Sequence, residues 1–235
     1  MANKSKQQER DRRAKIEAMR RAEQSKERRK SMLFVVLAGV VGLGLVAAAA
    51  VPAYLSSRND PANKALSSFG VNAAAADCDE PTDDPATGGN DHREDGTAIQ
   101  YDQVPPSSGP HWAQPAFPAR EFYTDRDRPA VEQLVHNLEH GYTILWYDDT
   151  VTGADRDELE KLAASAREDD NTRGKFIVAP WDEERGRMPE GKHVALTHWG
   201  AEQGHRQLCG AASGAVVEDF VSQFPAADSP EPNAA

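Results

Sequence analysis

The sequence predicts an α/β (α+β) protein, in which an N-terminal transmembrane helix precedes a small mixed sheet covered by helices. Three observations lead to this prediction. Residues 32–51 form an uncharged apolar run near the N-terminus. The charge of the chain differs sharply on the two sides of that run. Beyond residue 98, segments of helical periodicity alternate with short β-branched and aromatic segments, in the order α-β-α-β-β-α.

The apolar run is long enough to span a membrane. At about 1.5 Å per residue, its twenty residues cover a bilayer core of about 30 Å. The basic sequence "KERRK" at 26–30 precedes it directly, and this excess of positive charge predicts a cytoplasmic N-terminus and an extracytoplasmic C-terminal part. The alternative is a cleavable signal peptide, because "AAAAVPA" at 47–53 has cleavage-like spacing of small residues. The charged leader of thirty residues favours an uncleaved, single-pass anchor in the cell membrane.

The charge balance indicates which partners to expect. Residues 1–30 contain twelve basic and five acidic residues, whereas residues 56–235 contain fifteen basic and thirty-three acidic residues. The basic arm is expected to contact the anionic inner leaflet of the membrane. The acidic exported part argues against a nucleic-acid partner, because phosphates repel it. The sequence identifies no protein partner.

These features predict five regions along the chain. Within residues 56–97, the stretch 77–96 is rich in Asp, Pro and Gly and lacks apolar periodicity, which is typical of a flexible segment. The predicted regions are a basic cytoplasmic arm at 1–31, a transmembrane anchor at 32–55, an acidic flexible tether at 56–97, an exported globular domain at 98–225 and a disordered tail at 226–235.

The elements of the globular domain follow from periodicity and turn residues. Residues 129–141 predict a helix, because Pro129 suits its first turn, Gly141 suits its end, and apolar residues fall at i, i+3, i+4 and i+7. We expect strands at 142–149, 175–181 and 192–200, and further helices at 154–168 and 214–224. The resulting β-α-β-β-α order makes a thioredoxin-like topology possible.

The two cysteines, Cys78 and Cys209, both follow the predicted anchor. Because disulfides persist outside the cytoplasm, we expect the two residues to pair. The bond would close a loop of about 130 residues and stabilise the fold by about 4–5 kcal/mol in the chain-entropy model. The alternative is that the two thiols act separately as metal ligands.

The segment "VHNLEH" contains a pattern that can carry chemistry. His136 and His140 are four residues apart on a predicted helix, so their imidazoles share one face, with Glu139 between them. The H-x-x-E-H pattern is similar to inverted zinc-peptidase motifs, in which the histidines bind zinc and the glutamate polarises water. Three interpretations stay open: a metal site, a metal-dependent hydrolase with Glu139 as base, and a polar helix end that the helix dipole favours.

A second candidate lies in the loop "YDQVPPSSGPHW" at 101–112. Its prolines and glycine stiffen and turn the chain, so they present His111 and Trp112 at a fixed point. A rigid loop of this kind suits the delivery of one ligand to a site. The alternative is a structural corner with Trp112 packed in the core.

The pairing of "PPSSGPH" with "VHNLEHGY" resembles an uncharacterised bacterial family, the domain of unknown function numbered 3105. The chain matches the family pattern at His92, Tyr101, 105–111 and 136–142. Family members look like exported domains behind one membrane anchor, which agrees with the predicted topology. The resemblance implies no established activity, but it adds His92 to the candidate ligands.

Together these patterns predict a transition-metal site. Imidazole ligands suit Zn²⁺ and Cu²⁺, which are the expected ions. The alternatives are a non-catalytic structural or adaptor domain of a membrane complex, and the hydrolase with Glu139 as its catalytic base. The predicted metal ligands are His92, His111, His136, Glu139 and His140.

Overall fold

The computed structural model describes residues 2–234, and the chain divides into two compact units, Met1–Arg58 and Asn59–Ala235. The first unit is formed by helix α1 (Ala2–Asn59). In the described part of the chain, α1 is a helix that is long and apolar enough to cross a membrane. A signal sequence near the N-terminus passes the same test of length and composition. Its apolar side chains are exposed, Leu33 and Leu43 by 71% and 73%.

The second unit is an α+β domain built around a mixed five-stranded sheet in the order β1-β7-β6-β4-β5. Strands β4 and β5 are parallel and the other neighbouring pairs are antiparallel, while β2 and β3 form a separate parallel ribbon. The elements are β1 (Thr82–Pro85), β2 (His92–Arg93), β3 (His111–Trp112), α2 (Val131–Glu139), β4 (Thr143–Tyr147), α3 (Gly153–Arg167), β5 (Phe176–Pro180), β6 (Val194–Trp199), β7 (Gln203–Cys209) and α4 (Gly214–Gln223).

Helices cover both faces of the sheet. Alternate residues of a strand point to opposite faces, so Ile144 and Trp146 pack with α2, whereas Leu145 and Tyr147 pack with α3 and α4. Because neither face meets solvent, every residue of β4, β5 and β6 is buried. This burial explains why these strands are continuous apolar runs rather than alternating ones.

Each element predicted from residue 129 onward is present, with bounds that differ by a few residues, and one further strand, β7, lies between β6 and α4. The helix expected at 154–168 is Gly153–Arg167, and the one expected at 214–224 is Gly214–Gln223. Strand β7 was not predicted, because "QGHRQLC" is polar and most of its residues are only half-buried. The β-α-β unit and the hairpin β6–β7 are compatible with a thioredoxin-like order.

The segment expected to be a flexible tether belongs, from Asn59 onward, to the second unit and makes ordered contacts there. Strand β1 pairs with β7, and Leu66 and Phe69 are buried in the core. A disulfide joins Cys78 to Cys209, as predicted, across 131 residues of sequence. A few apolar residues and one covalent bond hold this segment, and neither produces a periodic pattern in the sequence.

The segment expected to be a disordered tail also differs. Ala226 is 2% exposed, and the backbone N–H of Ala201 donates to the carbonyl of Asp228 at 2.6 Å. The short 3₁₀ helix Ala226–Asp228 lies in this segment. Backbone hydrogen bonds hold the tail in place, and these do not depend on apolar side chains.

Candidate metal centre

Four of the five predicted ligands lie together at one end of α2. One donor atom from each of His92, His111, His136 and Glu139 lies within 4.8 Å of the others. These residues come from three separate elements, β2, β3 and α2. The group is a set of nitrogen and oxygen donors of the type that binds transition metals.

The β2–β3 ribbon brings His92 and His111 side by side. The two residues are partners in the parallel register, so their side chains point the same way from the ribbon. The His111 backbone N–H donates to the Asp91 carbonyl at 3.2 Å, which fixes this register. The ring centroids of the two histidines lie 4.8 Å apart as a result.

Helix α2 supplies the other two side chains. His136 and Glu139 are three residues apart, so they lie on one side of the helix. The apolar stripe of α2 packs against the sheet, while the ring of His136 lies 4.6 Å from that of His111, centroid to centroid. The side of α2 that carries these two candidate ligands is therefore covered by protein, and His136 and Glu139 are 4% and 1% exposed.

Hydrogen bonds hold the loop before β3 from both sides. The Ser107 hydroxyl donates to Asp84 at 2.9 Å, and Ser107 is fully buried. The Tyr101 hydroxyl donates to the Pro110 carbonyl at 2.9 Å, next to the candidate ligand His111. Both contacts restrict the backbone that carries His111, which is itself 0% exposed.

Backbone carbonyls set the tautomers of two histidines. Nδ1 of His111 lies 2.8 Å from the Gly109 carbonyl, and Nδ1 of His136 lies 2.6 Å from the Trp112 carbonyl. A carbonyl oxygen only accepts, so in each neutral ring the proton is on Nδ1. The Nε2 lone pairs of His111 and His136 are then directed away from these carbonyls. A carbonyl partner on one ring nitrogen is the usual arrangement of a metal-binding histidine.

Two buried atoms lack hydrogen-bond partners at the centre of the group. Nε2 of His111 lies 3.0 Å from Oε2 of Glu139, yet neither atom has a hydrogen bond of acceptable geometry. With Nδ1 protonated, both atoms are acceptors that face each other in a buried space. Such a pair is unfavourable unless a cation satisfies it. The donor set therefore fits a metal ion.

The electrostatics of the site favour its metal-binding form at neutral pH. Burial lowers the pKa of His136 to about 4, and the neighbouring histidines add to this effect, so its ring is neutral. Burial raises the pKa of Glu139, but the Asn90 amide and the His111 ring, when that ring carries a proton on Nε2, outweigh it and lower the pKa to about 2. The Asn90 N–H donates to Oε1 at 2.9 Å, independently of the His111 tautomer. A neutral imidazole and an ionised carboxylate are the forms that bind metal.

The fifth predicted ligand, His140, lies beside the group of four. Its Nε2 is 3.0 Å from Nε2 of His136 and 3.5 Å from the carboxylate of Glu231. His140 is 8% exposed, so the pair of histidines is shielded from solvent. His140 thus contacts the group through His136 and is not one of the four clustered donors.

Sequence reasoning missed the backbone groups of the site and one acidic side chain. The carbonyls of Gly109 and Trp112 and the amide of Asn90 orient the candidate ligands, but backbone groups leave no residue-type signal. Glu231 lies in a segment of low apolar content that predicted disorder. Its position next to His140 depends on the folded path of the chain.

The fold and the site together define an α+β domain with a buried His/Glu cluster, which follows an apolar N-terminal helix. The chain belongs to the family described as "Protein of unknown function (DUF3105)", whose model matches residues 92–235. The matched range begins at His92 and contains all four clustered residues, and it confirms the resemblance seen in the sequence motifs. No curated protein and no solved structure matches the chain.

Proposed function

We propose that the domain binds one divalent transition metal, Zn²⁺ or Cu²⁺, through His92, His111, His136 and Glu139. The observation that carries this proposal is the convergence of four donor atoms within 4.8 Å of one another. The unpartnered Nε2 of His111 and Oε2 of Glu139 support it, because a cation between them would satisfy both. Three imidazoles and one carboxylate suit these two ions better than Ca²⁺ or Mg²⁺, which prefer oxygen ligands.

The exposure of the four residues suggests how a metal would enter and leave. His111, His136 and Glu139 are 4% exposed or less, whereas the His92 side chain is 39% exposed. His92 also lies on a strand of only two residues. We infer that His92 is the first ligand to dissociate from the metal, so the metal exchanges with solvent on the side of the site where His92 lies. An exchangeable site suits a protein that handles or senses a metal outside the cytoplasm.

A catalytic role for Glu139 has less support than a ligand role. One carboxylate oxygen of Glu139 accepts from the Asn90 amide and the other lies 3.0 Å from Nε2 of His111. A general base instead needs access to a water molecule or a substrate. A carboxylate that is 1% exposed and packed among three imidazoles fits a ligand better.

We also propose that α1 anchors the domain in the membrane, with the N-terminus in the cytoplasm. The exposed apolar run of α1 and the basic residues that precede it support this arrangement. The metal centre would then lie outside the cytoplasm, where the Cys78–Cys209 disulfide is stable.

Metal stoichiometry of the full-length chain tests the proposal. The protein is purified in detergent, stripped with a chelator, incubated with Zn²⁺ or Cu²⁺ at neutral pH, and freed of unbound metal. We expect about one bound ion per chain, and a loss of binding in His136→Ala. His193→Ala is the matched control, because His193 lies outside the group of four. The proposal fails if the wild-type chain binds no metal, or if the control loses as much metal as His136→Ala.

A further inference from the structure

The C-terminal segment packs directly against the end of α2 that carries the candidate metal ligands. The backbone N–H of Glu231 donates to the carbonyl of Glu139 at 3.0 Å. The ammonium group of Lys175 donates to the carbonyls of His140, Pro232 and Ala234 at 2.7, 3.0 and 2.9 Å. The end of α2 and the C-terminal segment are therefore joined by the Lys175 ammonium group, which contacts both, and by one backbone hydrogen bond.

A glycine permits this close approach. Gly141 has a φ of +92°, which disfavours other residues, and an added Cβ atom would lie 2.6 Å from the carbonyl oxygen of Ala226. The same atom would lie 2.7 Å from the hydroxyl of Ser229. The backbone directly after His140 is thus in contact with the C-terminal segment, with no space between them for a side chain.

The contact between His136 and His140 constrains where their protons are. The two Nε2 atoms lie 3.0 Å apart, so one must donate and the other must accept. Because Nδ1 of the neutral His136 ring donates to the Trp112 carbonyl, its Nε2 carries only a lone pair. His140 is therefore the donor in the metal-free protein.

A metal at the proposed centre requires the same lone pair of His136. One lone pair serves either the metal or the His140 N–H, so metal binding removes His136 as the acceptor of that N–H. Among the contacts of His140, the carboxylate of Glu231 lies 3.5 Å from Nε2 and is 41% exposed. At that distance the carboxylate is beyond a good hydrogen bond, but a small movement of the segment brings it within reach.

We propose that Glu231 is a positioning residue of the metal centre, which accepts the His140 N–H when metal binds His136 and so draws the C-terminal segment onto the loaded site. This inference rests on the metal-binding function proposed above. By thermodynamic linkage, the two effects are equal in size. The Glu231–His140 contact increases metal affinity by the same factor by which bound metal stabilises the contact. The conformation of the segment, at the surface of the domain, would then depend on whether the buried site holds a metal.

Amide hydrogen exchange of the full-length chain in detergent, with and without Zn²⁺, tests this coupling. We expect Zn²⁺ to slow exchange of the backbone amides in residues 226–234 by about fivefold or more, the lower end of typical couplings. Glu231→Ala should abolish that slowing and weaken Zn²⁺ affinity by the same factor. Glu231→Gln retains a carbonyl acceptor and should restore part of both effects. Glu202→Ala removes an exposed carboxylate elsewhere and should behave like the wild type.

Three results would overturn the inference, and they can be told apart. The coupling alone is refuted if Zn²⁺ binds the wild type and Glu231→Ala with equal affinity and leaves the amide exchange of residues 226–234 unchanged. If His140→Ala loses as much bound Zn²⁺ as His136→Ala, His140 is a ligand. The proposed change of the His140 acceptor from His136 to Glu231 is then refuted. A wild-type chain that binds no metal removes the proposed function itself, and the inference with it.

Discussion

Nε2 of His111 lies 3.0 Å from Oε2 of Glu139, and both atoms are buried without a hydrogen bond. In the neutral His111 ring, the Gly109 carbonyl holds the proton on Nδ1, so Nε2 does not donate to the carboxylate. Two acceptors in contact are stable in a protein interior only with a compensating charge or proton. This relationship between two residues makes the metal proposal specific and testable.

Replacement of Glu139 tests the oxygen ligand. Glu139→Gln keeps the size of the side chain but removes its charge and the carboxylate oxygen beside His111. We expect Zn²⁺ affinity to fall by about 100-fold or more, since even outer partners of metal ligands contribute about 10–100-fold. Competition with a chromophoric chelator measures the change. Glu160→Gln, an exposed position on α3, is the control, and an equal fall in both variants would contradict the assignment.

Replacement of His92 tests the exchangeable ligand. Because the other three donors are buried, His92→Ala should retain bound metal but release it to a chelator about tenfold faster or more. The measurement is the stopped-flow rate of metal transfer to excess chelator. His205→Ala removes a histidine outside the group and should leave the rate unchanged. A release rate in His92→Ala that equals the wild-type rate would show that His92 does not hold the metal.

The buried His198 predicts how stability depends on pH in the metal-free protein. Burial lowers the pKa of His198 to about 4, and the nearby His205 adds to the effect, so the folded state keeps the ring neutral. Between pH 6.5 and 4 the unfolded chain binds a proton that the folded chain does not, so the free energy of unfolding falls as pH falls. The loss attributable to this group is about 3 kcal/mol.

Denaturant unfolding at several pH values measures this effect in the wild type and in His198→Gln. The variant should be less stable at pH 7, because the fully buried ring is lost, but its stability should decline less between pH 6.5 and 4. His193→Gln serves as a control at a more exposed histidine. Parallel declines in the wild type and His198→Gln would exclude His198 as the source.

Removal of the disulfide tests the attachment of the segment before β2. Cys78→Ser with Cys209→Ser opens a loop of 131 residues, and we expect a loss of about 4–5 kcal/mol in the free energy of unfolding. Hydrogen exchange should accelerate most in β1, the edge strand that pairs with β7. Reduction of the wild type by a thiol should give the same result. An unchanged denaturation midpoint would show that packing alone holds this segment.

Charges in the apolar run test the membrane anchor. Leu37→Lys together with Val40→Lys should lower membrane insertion, because each charge near the helix centre costs about 2.5–3.5 kcal/mol. Alkaline extraction of membranes should retain the wild type and release the variant. Intact mass should show an uncleaved N-terminus, and protease added from outside the cell should degrade the C-terminal domain. A mature chain that lacks the basic arm would establish a cleaved signal peptide instead.

Much of the domain was predictable because its strongest signals are local. The stripe of Val131, Leu134, Val135 and Leu138 predicted α2, and the apolar runs predicted β4, β5 and β6. Strand β7 and the β2–β3 ribbon were not predictable from such signals. Their pairing satisfies backbone hydrogen bonds between polar residues, so the side chains carry no periodic pattern.

The sequence by itself determined the apolar run, the α+β order and the residue types that can bind a metal, since each depends on neighbours along the chain. Only the tertiary structure decided which of those residues meet. The register of two short strands brings His92 to His111, and the cover over α2 buries His136 and Glu139. The path of the C-terminal segment brings Glu231 to His140. These contacts join residues up to 91 positions apart in the sequence. Hydrogen-bond register and packing, rather than local periodicity, set the distances between such residues.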